Sequence, residues 1–274
     1  MQVAGKVWVV TGAGAGMGRE LVLELLRRGG RVAAVDIRPE SVAQTASLAD
    51  AGDRVSVHVT DIADAAAVAA LVQEVVAAHG SVDGLINNAG IVQPFTPVAD
   101  LDAGTIRRVI DVNLMGPITM VSAFLPTLLT RPAAHIANVS SMGGFFPFPG
   151  QTIYGASKAG VKLLSEGLYL ELVDTAVRVT AIFPGAIRTD ITKNSGVEMP
   201  SADAQASRVP MTNPDVAARI MLDGIERDRY HVYVGKDALL MSLAVKVAPR
   251  RAALLVRRQM MRVLDGAAKA TAGV

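Results

Sequence analysis

The sequence predicts an α/β fold: a single domain with one open, doubly wound sheet of seven parallel strands, helices on both faces, and a basic helical extension at the C-terminus. Three observations lead there. Short apolar runs rich in Val, Ile and Ala alternate with longer segments of helical period, which is the pattern of repeated βα units. The runs are continuous rather than alternating, as expected for strands covered on both faces. With 51% hydrophobic residues and 25 glycines among 274 residues, the chain is large and apolar enough to bury one substantial core.

The elements follow in order. Val7–Thr11 is a short apolar strand that runs into glycines at 12, 14, 16 and 18, and the helix Gly18–Arg28 follows. Strand Arg31–Asp36 ends on a carboxylate, then come helix Ser41–Asp50, strand Arg54–Val59 and helix Ala65–Ala78. Gly84–Asn87 is the fourth strand, Thr105–Arg131 a long helix, and His135–Ser140 a strand closing on two serines. Helix Tyr154–Val173, strand Arg178–Phe183, helix Pro214–Arg227 and strand His231–Gly235 complete the alternation. Asn213 before Pro214 reads as a helix cap with proline at the first position. Right-handed crossovers stack such units into one sheet. Two connections are long, residues 142–152 and 186–213, and long loops at strand ends commonly hold substrates.

The division expected is a nucleotide-binding and catalytic domain over residues 1–240 and an extension over 241–274. Seven basic residues against Asp265 give the extension a net +6, which leaves −4 for residues 1–240. On a helical wheel of Pro249–Leu264, Arg250, Arg251, Arg257, Arg258 and Arg262 gather on one side. Ala252, Ala253, Val256, Met260, Val263 and Leu264 gather on the other, with Leu254, Leu255 and Met261 within or beside the basic arc. Such a helix either packs on the body or a neighbouring subunit, or makes peripheral contact with an anionic membrane.

Cysteine is absent, which removes disulfides and thiolate metal sites, and no metal is expected. The N-terminal apolar run is short and ends in glycines, so no signal peptide is read. No uninterrupted apolar stretch reaches the length of a spanning helix. A cytoplasmic protein is the expectation, with the basic helix leaving peripheral membrane association open.

Glycines between a strand and a helix let a pyrophosphate approach the unpaired N–H groups and positive end of the helix. A tight βα turn needs glycine too, but the strand before and helix after favour dinucleotide binding. Asp36, at the end of the second strand, can accept both adenosine ribose hydroxyls and would repel a 2′-phosphate, so NAD is preferred. Arg38 keeps NADP open as the alternative.

The segments Thr11–Gly18, Asn87–Asn88–Ala89–Gly90 and Tyr154–Gly155–Ala156–Ser157–Lys158 together resemble the short-chain dehydrogenase/reductase family, a Rossmann fold, over roughly residues 5–235. The resemblance implies that Gly12, Gly16 and Gly18, with Ala15 and Met17, form the cofactor loop, Met17 standing where isoleucine is more frequent. It implies that Asp61 contacts the adenine amino group, with Ile62 beside it, although Asp61 reads equally as a helix cap. Asn88, Ala89 and Gly90 would lie under the cofactor, and Pro184, Gly185, Ile187 and Thr189 would bracket nicotinamide. Ser141 is implied as the catalytic serine because it lies thirteen residues before Tyr154; from the residues alone, Ser140 and Ser141 are indistinguishable. Asn113 would hold a water near Lys158, or bond back to its own helix.

Four-residue spacing places Tyr154 and Lys158 on one helix face. A phenol near pKa ~10 is a poor base at neutral pH, and a neighbouring cation favours its ionised form. The reaction expected is oxidation of an alcohol, or its reverse, with Tyr154 as general acid/base. Phe145, Phe146 and Phe148, three of six phenylalanines, follow Ser141 and would line an apolar pocket or a subunit interface. An apolar secondary alcohol or ketone of lipid, steroid or terpenoid type is the substrate class expected, with Gln151 offering one polar contact. The resemblance also implies a homodimer or homotetramer built on the two long helices. Two other functions fit the composition less well. A noncatalytic dinucleotide sensor would not need Asn113, Ser141, Tyr154 and Lys158 together, and the tail lacks the aromatic interleaving that nucleic-acid binding favours.

Overall fold

The computed structural model describes residues 1–197 and 211–258. Seven parallel strands form one sheet in the order β3-β2-β1-β4-β5-β6-β7. They are β1 (Val7–Thr11), β2 (Arg31–Asp36), β3 (Val55–Val59), β4 (Gly84–Asn87), β5 (Ala134–Val139), β6 (Val177–Pro184) and β7 (His231–Val234). Strand order reverses between β1 and β4, and the crevice beyond their carboxyl ends is where this topology holds ligands.

On one face, α1 (Gly16–Arg27), α2 (Pro39–Ala49) and α8 (Pro214–Glu226) cover the sheet. Leu21, Leu25, Met221 and Leu222 meet Trp8 and Ile182 there. The other face carries α3 (Ala65–His79), α4 (Ala103–Ile110), α5 (Gly116–Leu129) and α6 (Thr152–Glu171), with Leu71, Phe124 and Leu168 packed on Leu85 and Ile136. The helical run Ala103–Leu129 is long and apolar enough to cross a membrane by composition, yet Val109, Met120, Phe124 and Leu128 on it are buried in the core. Asn213 occupies the N-cap of α8 with extended backbone and Pro214 in the first turn, without a side-chain cap bond.

Two departures from the sequence reading have local causes. The long helix starts at Ala103 because Asp102 accepts from the Thr105 amide at 2.8 Å and from its hydroxyl at 2.6 Å. It is interrupted by one π-turn, Asp111–Met115, centred on Asn113. Pro117 has no N–H for the carbonyl four residues back, which is that of Asn113, and π-turns concentrate at functional positions. Residue 240, the expected division, lies within α9 (Lys236–Val247), and residues 249–258 are helical as well. The inner faces of both C-terminal helices close on Phe146 through Met241, Ala244, Val245, Ala252 and Val256. Within the long loop after β6 lies the short helix α7 (Ile191–Asn194). The rest of that loop over 198–210, and Met260, Met261, Arg262, Val263, Leu264, Asp265 and Lys269 of the tail, lie outside the described residues.

Candidate active site

The turn after β1 carries Gly12 at φ +67°, where a Cβ would come within 2.9 Å of Ala89 Cα. A Cβ on Gly18 would collide with the Gly12 carbonyl. These two positions exclude side chains, and so leave the start of α1 bare toward the crevice. Thr11 binds the glycine loop to the next strand: its hydroxyl accepts from the Asn88 and Ala89 amides, both at 3.0 Å, while Asn88 Nδ2 donates to the Thr11 carbonyl at 3.0 Å. The result is a cleft of about 580 Å³ whose wall includes Ala15, Met17, Asp36, Asp61, Ile62 and Thr189. Its glycine cradle and carboxylate-lined end fit a dinucleotide.

Asp36 is buried, accepting from the Gly14 amide at 2.8 Å and the Arg38 amide at 3.0 Å. Arg38 also lines the cleft, with its guanidinium tethered on both sides. Its Nε lies 3.5 Å from Asp36 Oδ1, and Nη1 donates to Asn194 Oδ1 at 2.8 Å. The cap of α3 is Asp64, which accepts from the Ala66 and Ala67 amides. Asp61 instead accepts from Ala63 N–H at 2.9 Å and lines the cleft, so capping does not account for it.

Asn113 uses both ends of its amide across the site rather than within its helix. It accepts from Ile91 N–H and donates to the Ile91 carbonyl, both at 2.8 Å, and donates to Ser157 Oγ at 3.2 Å. The position a Cβ would take on Gly90 is 3.1 Å from Lys158 Nζ and 3.2 Å from Asn113 Oδ1. Gly90 lines the cleft, and Lys158 and Asn113 lie against it without lining the cleft themselves. Lys158, 4% exposed, donates to the Val139 carbonyl at 3.0 Å. Burial lowers its pKa to about 8.

The two serines after β5 separate by partner. Ser140 is buried and donates to the Lys158 carbonyl at 2.7 Å. Ser141 Oγ accepts from the Gly143 amide at 3.0 Å and hydrogen-bonds the Tyr154 phenol. Burial pushes that phenol up, an effect the Ser141 bond partly offsets. The expectation that a neighbouring cation lowers the tyrosine is thus not met by the protein's own groups: burial raises it, and the Ser141 hydroxyl alone opposes. Tyr154 is held from its backbone too: its N–H donates to Gln93 Oε1 at 2.9 Å, and Gln151 Nε2 donates to the Gln93 carbonyl at 2.8 Å.

Thr189 sits against Gly16 across the mouth of the cleft, 3.3 Å from where a Cβ there would be. The loop between Pro184 and Thr189 is fixed by Ile187, which bridges to Thr212, and by Asp237, whose Oδ2 accepts from the Ala186 amide at 2.7 Å. Neither Gln93 nor Asp237 was singled out from the sequence. Each acts on a residue more than fifty positions away, so no local spacing announces it.

The aromatic segment is drawn partly into the fold, with Phe145 and Phe148 half-buried and Phe146 fully enclosed. Phe146 is 1% exposed and sealed by Ala252 and Val256. Phe145 packs edge-on against Phe183 and Tyr233 at centroid distances of 5.6 and 6.1 Å. Phe148 packs edge-on against Phe146 at 5.2 Å. The phenylalanines anchor the C-terminal helices to the loop that follows Ser141.

Residues 6–199 match the family model for short chain dehydrogenase. The chain is 34% identical over 251 residues to SadH, a Mycobacterium tuberculosis protein named as an oxidoreductase, covering 89% of this chain and 91% of SadH. It is 33% identical over 230 residues to the 3-oxoacyl-(acyl-carrier-protein) reductase FabG of Thermotoga maritima, covering 81% and 91%. Among solved structures, a short chain dehydrogenase/reductase from Burkholderia phymatum in complex with NAD superposes with TM-score 0.80 at 27% identity, covering 90% and 96%. A short chain dehydrogenase from Burkholderia cenocepacia in complex with NADP gives TM-score 0.78 at 30% identity, covering 94% and 98%.

Proposed function

The chain belongs to the short-chain dehydrogenase/reductase family, and from that premise we propose that it is an NAD-preferring oxidoreductase interconverting an apolar secondary alcohol and its ketone. The observation that carries this reading is that Tyr154, beside Ser141, is tied through Ser157 to Asn113, and that Asn113 and Lys158 both lie against Gly90, which lines the dinucleotide cleft.

Gly12, Gly16 and Gly18 with Ala15 and Met17 would hold the pyrophosphate, Asp36 the adenosine ribose, and Asp61 and Ile62 the adenine. Asn88, Ala89 and Gly90 would support the cofactor from below, and Pro184, Gly185, Ile187 and Thr189 its nicotinamide end. When bound, the cofactor supplies the hydride acceptor or donor. Ser141 hydrogen-bonds the substrate oxygen and fixes it against Tyr154. The phenol, kept neutral by burial, is poised to give its proton to a ketone oxygen; in the oxidative direction the same oxygen of Tyr154 receives the alcohol proton. Lys158 would offer hydrogen-bond donors to the ribose hydroxyls of the bound cofactor. Asn113 braces the Ile91 backbone opposite the lysine and would hold the water that leads the proton out.

The NAD preference rests on Asp36, buried and aimed at the glycine loop, and on Arg38 being tied to Asp36 and Asn194. A 2′-phosphate there would meet a carboxylate before a guanidinium. A homodimer or homotetramer through α5 and α6 is supported by Leu163, Tyr169, Leu170 and Val173, which α6 and the residues just after it leave exposed. Titration with NAD and NADP, followed by a screen of lipophilic secondary alcohols for formation of reduced cofactor, tests the reading. Absence of binding to either dinucleotide would sink it.

A further inference from the structure

We propose that the outer face of the C-terminal helices is a docking surface for an anionic lipid bilayer. Four observations converge on it. Leu239, Leu240, Leu243 and Val247 of α9 are 48%, 64%, 52% and 86% exposed, and at 100° per residue they fall within an arc of about 100°. This is an apolar stripe on an outer face, which packing of the helix on the body does not explain. In the helical segment 249–258, Leu254 and Leu255 are likewise exposed, set among exposed Arg250, Arg251, Arg257 and Arg258. Between residues 238 and 258 there are five basic residues, Lys246 and these four arginines, and no acidic one.

The two C-terminal helices therefore have two faces with separate tasks. The inner face, Met241, Ala244, Val245, Ala252 and Val256, closes on Phe146. The outer face offers exposed aliphatic side chains on both helices and four exposed arginines on the second; an arginine stem can lie along an apolar surface while its head reaches a phosphate. Each basic residue adds attraction to an anionic leaflet. The same charge argues against a second copy as occupant, since two such faces would bring like charges together. Because the inner face anchors the loop after Ser141, docking would set the candidate active site beside the lipid. The benefit to a lipophilic substrate rests on the function proposed above, whereas the docking itself does not.

The test uses the full chain and needs no turnover. Co-sedimentation with vesicles of phosphatidylcholine alone is compared with vesicles carrying about 30% phosphatidylserine. The full chain is expected to pellet with the anionic vesicles and stay in solution with the neutral ones. The variant R250E/R251E/R257E/R258E and the variant L239S/L240S/L243S should each reduce anionic binding by about tenfold or more. All of these side chains are exposed, so folding should be retained, as thermal melting would verify. Failure of the unmodified chain to bind anionic vesicles overturns the proposal. So does equal binding by both variants, or a leucine variant that changes only the sedimentation coefficient, which would assign the face to a second copy. Loss of dinucleotide binding in the purified chain would instead overturn the oxidoreductase reading and leave vesicle binding to be scored by itself.

Discussion

Lys158→Met should abolish turnover and yet stabilise the protein at neutral pH. The lysine is 4% exposed, and burial takes its pKa from 10.5 to about 8. A depression of that size costs about 3 kcal/mol of folding free energy while the group is charged. The Val139 carbonyl returns a charge-assisted hydrogen bond at 3.0 Å, worth about 1.5 to 3 kcal/mol. Replacing the ammonium by an apolar chain of similar length removes both, for a net gain of up to about 1 kcal/mol at pH 7. For a chain of this size each kcal/mol moves the melting temperature by about 2 to 4 °C. The pH dependence carries the sign. The cost is complete below about pH 8, where native and unfolded chains are both protonated. Between about 8 and 10.5 the unfolded chain retains a proton that the native one has released, so wild-type stability rises relative to the variant. Above that window the variant lacks only the Val139 bond and should be the less stable protein. Calorimetric melts of both proteins at pH 7 and at the alkaline end of the window measure this. A variant that melts lower at pH 7, or a gap that does not change with pH, would refute the buried, penalised lysine.

Two further substitutions probe the cofactor cleft. Asp36→Ser removes the carboxylate that would face a 2′-phosphate and should raise the ratio of NADP to NAD affinity by roughly 10- to 100-fold, since like-charge juxtaposition costs a few kcal/mol. Parallel titrations of wild type and variant read that ratio, and an unchanged ratio counts against the assignment of Asp36. Asp237→Ala leaves the Ala186 amide without its 2.7 Å acceptor. Cofactor affinity should then fall about 5- to 100-fold, the equivalent of 1 to 3 kcal/mol, with overall fold intact by circular dichroism; wild-type affinity would show that the 184–189 loop holds its shape without Asp237.

Much of the framework was legible because it is set locally. Strands β1, β2 and β4 run between the residues expected, since glycine or a terminal polar residue stops an apolar run that is buried on both faces. The wheel of the tail likewise placed Ala252 and Val256 on its inward side, where the structure has them. What escaped depends on contacts between distant segments. The partner of the Asn113 amide, the Ile91 backbone, lies 22 residues away. Asp61 reads as a helix cap on paper, and only the backbone path gives that cap to Asp64. Phe146 sits near the site in sequence but is claimed by the C-terminal helices, whose position no spacing could announce. The expectation for the tyrosine went astray for a related reason: charge can be counted in a sequence, whereas desolvation of Tyr154 is visible only once the fold buries it.

The central claim is that Tyr154 moves the proton that accompanies hydride transfer. Once the alcohol screen yields a substrate, the decisive measurement compares wild type with Tyr154→Phe for both dinucleotide affinity and rate of reduced-cofactor formation. The phenyl ring preserves the packing against Gly143 while removing the hydroxyl. The account predicts wild-type affinity with turnover lowered by about 10²- to 10⁴-fold; a Tyr154→Phe enzyme that turns over at the wild-type rate would contradict it.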